Sequence, residues 1–343
     1  MAEKTPNALS HAEAAELFAP LLEGSDGVLV GVSGGPDSMA LLALLAEWGK
    51  IRLAAATVDH GLRPEAASEA RSVKAFCQQL GVEHHILPWL GEKPVSGLQA
   101  AARSARYALL VKHAHHGGFS HLATAHHADD QAETVLMRLV SGSGIAGLAA
   151  MRNRLERQGI VHIRPLLAIS KERLVLTCVL RNIPFVDDAS NSNRQFGRVR
   201  IRQVLDTLAA EGLTPERLGR LAIRAGQAND ALDQITAAFF QSNAEPHWSA
   251  IAEQPKEIRL RILAQILRSE TAMHKPMKIA EPVKLERLEA LLAALDAAHA
   301  DGKHLRRSLG AVIVTLERNG HLKIAAAPLR KRGLTPPRLR HET

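Results

Sequence analysis

Aromatic residues are scarce in this 343-residue chain: 3% overall, with one Tyr and three Trp. Single-stranded nucleic acid is usually gripped by stacking bases on aromatic faces, so stacking is excluded as the main mode of binding. Cysteine is scarcer still. Cys77 and Cys178 make neither a disulfide framework nor a C-x-x-C site for zinc or an iron–sulfur cluster, and a reducing cytosol fits such usage. The N-terminus lacks a signal-peptide core, and no apolar run reaches membrane length. The expectation is a cytoplasmic protein with no membrane partner. Acids are outnumbered, 35 against 43 Lys and Arg, which leaves a net charge of +8. That excess favours a polyanionic partner, nucleic acid first.

What is present begins with Val28-Leu29-Val30-Gly31-Val32, an aliphatic run that reads as a buried parallel strand. Ser33-Gly34-Gly35 can then turn sharply and leave backbone N–H groups facing outward. A helix from Asp37 to Trp48 aims its positive end at the same point. Together they make an anion site, and phosphate is the usual anion. Asp37 would repel phosphate, so it implies a bridging Mg²⁺. The lysine of the G-x-x-x-x-G-K-[ST] loop is missing, and so is the dinucleotide G-x-G-x-x-G spacing. Ser33-Gly34-Gly35-Pro36-Asp37-Ser38 instead resembles S-G-G-x-D-S, the pyrophosphate-binding loop of the N-type ATP pyrophosphatases.

Residues 28–187 alternate strand and helix. Strands are expected over 28–32, 52–58, 82–89, 121–125 and 160–167. Helices are expected over 37–48, 64–80, 98–116, 128–140 and 171–181, the last capped by Ser170. Such repeats predict a doubly wound parallel sheet with ligands at the carboxyl ends of its strands. Asp59 falls at one such end, where it serves a ribose or only a turn. Asp130 and Glu133, one helical turn apart beside His126-His127, suggest a second metal and substrate-amine site facing Asp37. Arg103 and Arg106 either reach a phosphate or form a solvated face. The pairs His84-His85 and His115-His116, with His113, are expected on surfaces. Ser141 to Gly144 reads as a mobile lid. Residues 152–202 carry eleven Lys and Arg against four acids, which reads as an RNA-backbone surface. From about 196 the chain turns helical, with helices expected over 215–240, 255–269 and 282–298. A β-hairpin of 311–317 with 321–326 follows, and then a basic, disordered tail from Pro328.

Read together, Ser33–Ser38, His126-His127-Ala128-Asp129-Asp130-Gln131-Ala132-Glu133-Thr134, Ser141-Gly142-Ser143-Gly144-Ile145-Ala146-Gly147-Leu148, Arg164-Pro165-Leu166-Leu167 and Asp188-Ala189-Ser190-Asn191 resemble the tRNA(Ile)-lysidine synthetases. Arg198-Val199-Arg200-Ile201-Arg202 belongs to the same pattern, with Ala189 and Val199 as departures that remove no charge. The resemblance covers roughly residues 28–205. It implies a PP-loop, Rossmann-like ATP pyrophosphatase domain over 28–205, preceded by a helical extension (1–27). A tRNA-contacting helical region with the hairpin (206–327) and the tail (328–343) follow. It implies that ATP adenylates O2 of the wobble cytidine in a CAU anticodon of tRNA(Ile), and that L-lysine then displaces AMP. By resemblance, Ser33 to Ser38 and Asp59 bind the nucleotide, and Asp37 and Asp130 hold Mg²⁺. Glu133, with Asp130, holds the lysine amine, Arg106 stabilises the intermediate, and Arg198, Arg200 and Arg202 contact RNA. A homodimer is left open. The alternatives are a tRNA-thiolating relative using Cys77 and Cys178, and an ATP-binding sensor without catalysis.

Overall fold

The computed structural model describes residues 7–61, 66–91, 93–94, 96–186, 197–243, 247–273, 284–310 and 312–327. Pro64, the Asp188–Asn191 motif, Arg194 and the tail from Pro328 lie outside the described residues, as does the side chain of Arg198. The chain divides into two compact units, Met1–Gly226 and Gln227–Thr343.

The first unit runs α1 (His11–Leu22), β1 (Val28–Gly31), α2 (Pro36–Trp48), β2 (Leu53–Asp59), α3 (Ala66–Gln79), β3 (Glu83–Pro88), α4 (Leu98–His116), β4 (His121–Ala123), α5 (Ala128–Val140), α6 (Ile145–Leu148), β5 (Arg154–Arg157), β6 (Ile160–Ile163), α7 (Lys171–Leu180) and α8 (Gly197–Ala210). The division falls within α9 (Pro215–Ser242). The six-stranded sheet has the order β3-β2-β1-β4-β6-β5. All its pairs are parallel except β5 with β6. The expected doubly wound parallel sheet is present, with one antiparallel strand added at its edge. Arg154-Leu155-Glu156-Arg157 is charged and mostly exposed, so it lacks the aliphatic signature of a covered strand.

β1 lies at the centre and alternates its faces. Val28, Val30 and Val32 join a core with α1, α2 and α7, whereas Leu29 joins Tyr107, Leu110 and Val111 of α4 on the other face. Gly31 permits that second packing, because a Cβ there would lie 3.1 Å from Leu110 Cδ1. From β1 the chain winds one way to β2 and β3, then returns to the other side through β4. The crevice between the carboxyl ends of β1 and β4 is thus a topological switch point, where ligands of such sheets bind.

Two local expectations change. Ser170 occupies the N-cap of α7, but its side chain makes no cap bond. Asp129 does that work from α5, its Oδ2 accepting from the Lys171 N–H at 2.9 Å. His84 is only half-exposed, and its Nε2 meets Thr57 Oγ1 at 2.9 Å. Burial pushes its pKa down to about 4.

The second unit contains α10 (Trp248–Ala252), α11 (Lys256–Met273), α12 (Leu285–Ala300) and a three-stranded antiparallel sheet. Its strands are β7 (Leu305–Leu309), β8 (Val312–Leu316) and β9 (Leu322–Ala326). The hairpin of β8 and β9 was legible, but β7 was not, because Arg306, Arg307 and Ser308 on this edge strand are exposed. Trp248, Leu292, Leu295 and Val314 share the core of this unit. Among the described residues no helix is long and apolar enough to cross a membrane.

Candidate active site

A cavity of about 390 Å³ opens at the carboxyl ends of β1, β2 and β4. Its lining includes Ser33, Asp37 and Ser38 from the glycine loop, and Asp59 and His60 after β2. Arg103, Arg106 and Tyr107 come from α4, and Thr124, His126 and Asp130 from the β4–α5 junction. Six of the residues expected to share one site therefore do share it: Ser33, Asp37, Ser38, Asp59, Arg106 and Asp130. Gly34, Gly35, Pro36 and Glu133 are not in the lining.

The loop is held by its own serines. Ser38 Oγ accepts from the Ser33 N–H at 3.1 Å and donates to the Gly35 carbonyl at 3.0 Å. Gly34 has φ +88°, a conformation that only glycine adopts cheaply. Gly35 is the N-cap of α2 and Pro36 its first residue, so the helix starts where its dipole faces the cavity. The loop is also tied to the chain beyond α7, where Val186 N–H donates to Gly34 O at 3.0 Å.

Three carboxylates gather around one buried imidazole. His127 Nε2 lies 3.6 Å from Asp37 Oδ2 and 3.4 Å from Asp130 Oδ2, and its Nδ1 lies 3.3 Å from Asp129 Oδ2. Burial opposes charge on His127, but Asp129, Asp130 and Asp37 outweigh it and raise its pKa. Burial raises the pKa of Asp37 against the pull of His127 and Lys171. Asp37 Oδ1 is buried and has no hydrogen-bond partner among the described residues. A buried carboxylate oxygen left in this way is stabilised by a cation.

Asp59 does both things its position allowed. Its Oδ1 accepts from the Gly61 N–H at 2.8 Å as a turn aspartate, and it lines the cavity. Arg103 and Arg106 also line the cavity rather than forming only a solvated face. Glu133 is 1% exposed and its Oε1 is ion-paired with Arg202 Nε. The pair joins α5 to α8, which also pack through Ala132, Val135 and Leu205. Arg202 is therefore engaged within the fold, and Arg200 on the same helix is also partnered.

The basic segment differs from its expectation in the same way. Arg154 donates to the Leu21 carbonyl, Arg173 to Asn7 O and Glu13, and Arg181 to Leu9 O and Glu47. Arg152 donates to Gly226 O, and Arg164 is buried. Guanidinium groups carry several fixed donors and suit the carbonyls and carboxylates of neighbouring elements, so much of this charge ties the domain together.

Sequence reasoning passed over Thr124 and His162, and noted His126 only as a neighbour of the expected site without giving it a role. Thr124 Oγ1 lies 2.9 Å from His126 Nδ1 and 2.8 Å from His162 Nε2. Burial, then the Arg164 guanidinium, push His126 down to about 2 and His162 down to about 3. Both stay neutral in the folded chain, while the unfolded chain binds protons on them near pH 6.5. Stability should therefore fall as pH falls below about 6.5, by up to about 1.4 kcal/mol per pH unit for each histidine. Thermal melts between pH 7.5 and 5 check this: Tm should drop toward acid, and His162→Gln should flatten the slope.

Cys77 and Cys178 are both buried in the core, and burial pushes their thiols up to about 11 and about 12. Neither is a poised nucleophile.

Comparison with known proteins identifies the family. A PP-loop domain family matches residues 6–208. The tRNA(Ile)-lysidine synthase of Bradyrhizobium sp. (strain BTAi1) is 44% identical over 94% of this chain and 96% of its own. That of Bradyrhizobium diazoefficiens is 43% identical over 97% and 98%. Among solved structures, a U34-tRNA thiolase from Methanococcus maripaludis superposes with TM-score 0.53 at 22% identity, over 62% of this chain and 78% of that one, which bears on the fold alone. With near-identical extent and more than two-fifths of its residues shared with these synthases, the chain belongs to the tRNA(Ile)-lysidine synthase family of PP-loop proteins.

Proposed function

We propose that this chain joins L-lysine to C2 of the wobble cytidine in the CAU anticodon of tRNA(Ile), consuming ATP and releasing AMP and pyrophosphate. The observation that carries the reading is the convergence of Ser33, Asp37, Arg106 and Asp130 on one cavity at the switch point of the sheet. C2 of cytosine is a poor electrophile with a poor leaving oxygen. Adenylation of O2 makes that oxygen a good leaving group, and the lysine amine then displaces AMP.

In this reading the loop after β1 and the N-terminus of α2 receive the phosphates. The carboxyl end of β2, with Asp59, receives the nucleoside. Asp37 and Asp130 suit Mg²⁺: both line the cavity, and the buried Asp37 Oδ1 needs a cation. Two carboxylates would be enough, because Mg²⁺ is ordinarily held by only one or two protein carboxylates. When bound, the ion offsets charge on the separating pyrophosphate. Arg106 faces the reacting phosphate and stabilises its charge. Asp130, and Glu133 one turn beyond it, hold the lysine ammonium and help remove its proton. For Glu133 the ammonium takes the place now held by the Arg202 guanidinium. Contacts to RNA are assigned to Arg198, Arg200 and residues beyond 206.

The test is transfer of radiolabelled lysine to tRNA with ATP and Mg²⁺. Transfer should depend on ATP and vanish with a transcript whose wobble cytidine is replaced by uridine. Pyrophosphate release stimulated by tRNA without lysine transfer would overturn the ligase reading. Such a result would favour a tRNA-thiolating relative, which the unreactive buried thiols argue against.

A further inference from the structure

Four side chains, Thr124 and His126 in the cavity lining and His162 and Arg164 behind it, form a chain of hydrogen bonds whose direction can be deduced. Arg164 is 6% exposed, and its Nη1 donates to the Arg152 carbonyl at 2.6 Å, which fixes the guanidinium. Its Nη2 lies 3.3 Å from Nδ1 of His162, a residue with no exposed surface. A guanidinium only donates, so His162 Nδ1 must accept. A neutral His162 then carries its proton on Nε2, 2.8 Å from Thr124 Oγ1. The threonine oxygen accepts a hydrogen bond from that N–H and has a proton of its own to donate. Its other partner is His126 Nδ1, at 2.9 Å. That nitrogen accepts, which leaves the proton of a neutral His126 on Nε2. Both imidazoles are kept neutral by burial and by the surrounding cations: Arg164, Arg103 and Arg106 beside His126, and those three with Arg157 beside His162.

From this geometry we propose that His126 Nε2–H is a fixed hydrogen-bond donor to an α-phosphoryl oxygen of the nucleotide, with Thr124, His162 and Arg164 as the residues that set its polarity. His126 lines the cavity beside Ser33, Ser38, Arg103 and Arg106, so the acceptor it meets is an anionic oxygen. Such a donor, aimed before the substrate arrives, stabilises charge that develops on the phosphoryl group at no cost in reorganisation. The relay fixes the tautomer, which an isolated neutral histidine leaves free to exchange. The identity of the acceptor rests on the nucleotide reading given above. The tautomer does not.

The deciding measurement is long-range ¹H–¹⁵N correlation on the full chain with labelled histidine, using His126→Gln to assign the ring. His126 and His162 should both be neutral at pH 7 with the proton on Nε2. Thr124→Val should turn His126 into a mixture of tautomers and lower the rate of tRNA-dependent pyrophosphate release about tenfold, as loss of an orienting partner does. KM for ATP should stay within about threefold, and Thr124→Ser should restore both tautomer and rate. His126→Phe should lower kcat about 100-fold, as for one lost oxyanion donor, and His126→Gln, which keeps an N–H at the same reach, should recover most of it. A His126 proton found on Nδ1, or a Thr124→Val protein with unchanged tautomer and rate, would overturn the proposal. A wild-type chain that released no pyrophosphate would bring down the assigned reaction, while the tautomers would still decide the relay.

Discussion

Asp37→Asn should lower lysine transfer by about 1000-fold, equivalent to roughly 4 kcal/mol of lost transition-state stabilisation. The substitution keeps the shape of the side chain and removes its charge. Burial raises the pKa of Asp37, so the ionised carboxylate works against the fold at neutral pH. The sign follows from linkage: a carboxyl harder to ionise in the folded than in the unfolded state costs stability wherever it is ionised. The asparagine protein should therefore melt at the same temperature as wild type or slightly above it. Loss of activity with unimpaired stability marks a residue kept for chemistry, and the pair of measurements separates it from a structural one. Turnover within tenfold of wild type would remove Asp37 from the metal and phosphate role.

Breaking the pair between Glu133 and Arg202 should have the largest effect on stability. Arg202→Met leaves a carboxylate that is 1% exposed without its guanidinium. Removal of one partner from a buried pair typically costs 3–5 kcal/mol, and about 3 is expected here because the Arg202 side chain is 36% exposed. Chemical denaturation measures it directly. The double variant Arg202→Met, Glu133→Leu should recover most of the loss, since an apolar pair of similar volume can replace a buried ion pair. Activity should not return with stability. In Glu133→Leu, tRNA-dependent pyrophosphate release should persist while lysine transfer is lost, because only the second step needs a carboxylate for the amine. Lysine transfer within tenfold of wild type in that variant would make the pair a structural tie between α5 and α8.

Much of the site was legible because its signals are local. Val28 to Ser38 encodes strand, turn and helix start within eleven residues, and each part has its own cause: aliphatic burial, a glycine at positive φ, a proline at the first helical position. Asp37, Asp59, Arg106 and Asp130 could be placed together because a parallel sheet brings the carboxyl ends of its strands to one edge. The separation of Glu133 from the cavity lining was not legible. A spacing of three residues puts two carboxylates on one helix face, but it does not say which of them is covered by a neighbouring helix.

By itself, the sequence determined the alternation of strands and helices, the phosphate loop and the neighbours of that loop across the switch point, because periodicity and turn chemistry act between residues close in the chain. Only the tertiary structure decided which charges are free. Arg154 meets a carbonyl 133 residues away, Arg181 one 172 residues away, and Arg202 a carboxylate 69 residues away. The same holds for Asp129 capping α7 and for the line from Arg164 through His162 and Thr124 to His126. A hydrogen-bond donor is written in the sequence, but its acceptor is fixed by packing, and packing alone sets whether a charge faces solvent, substrate or the chain itself.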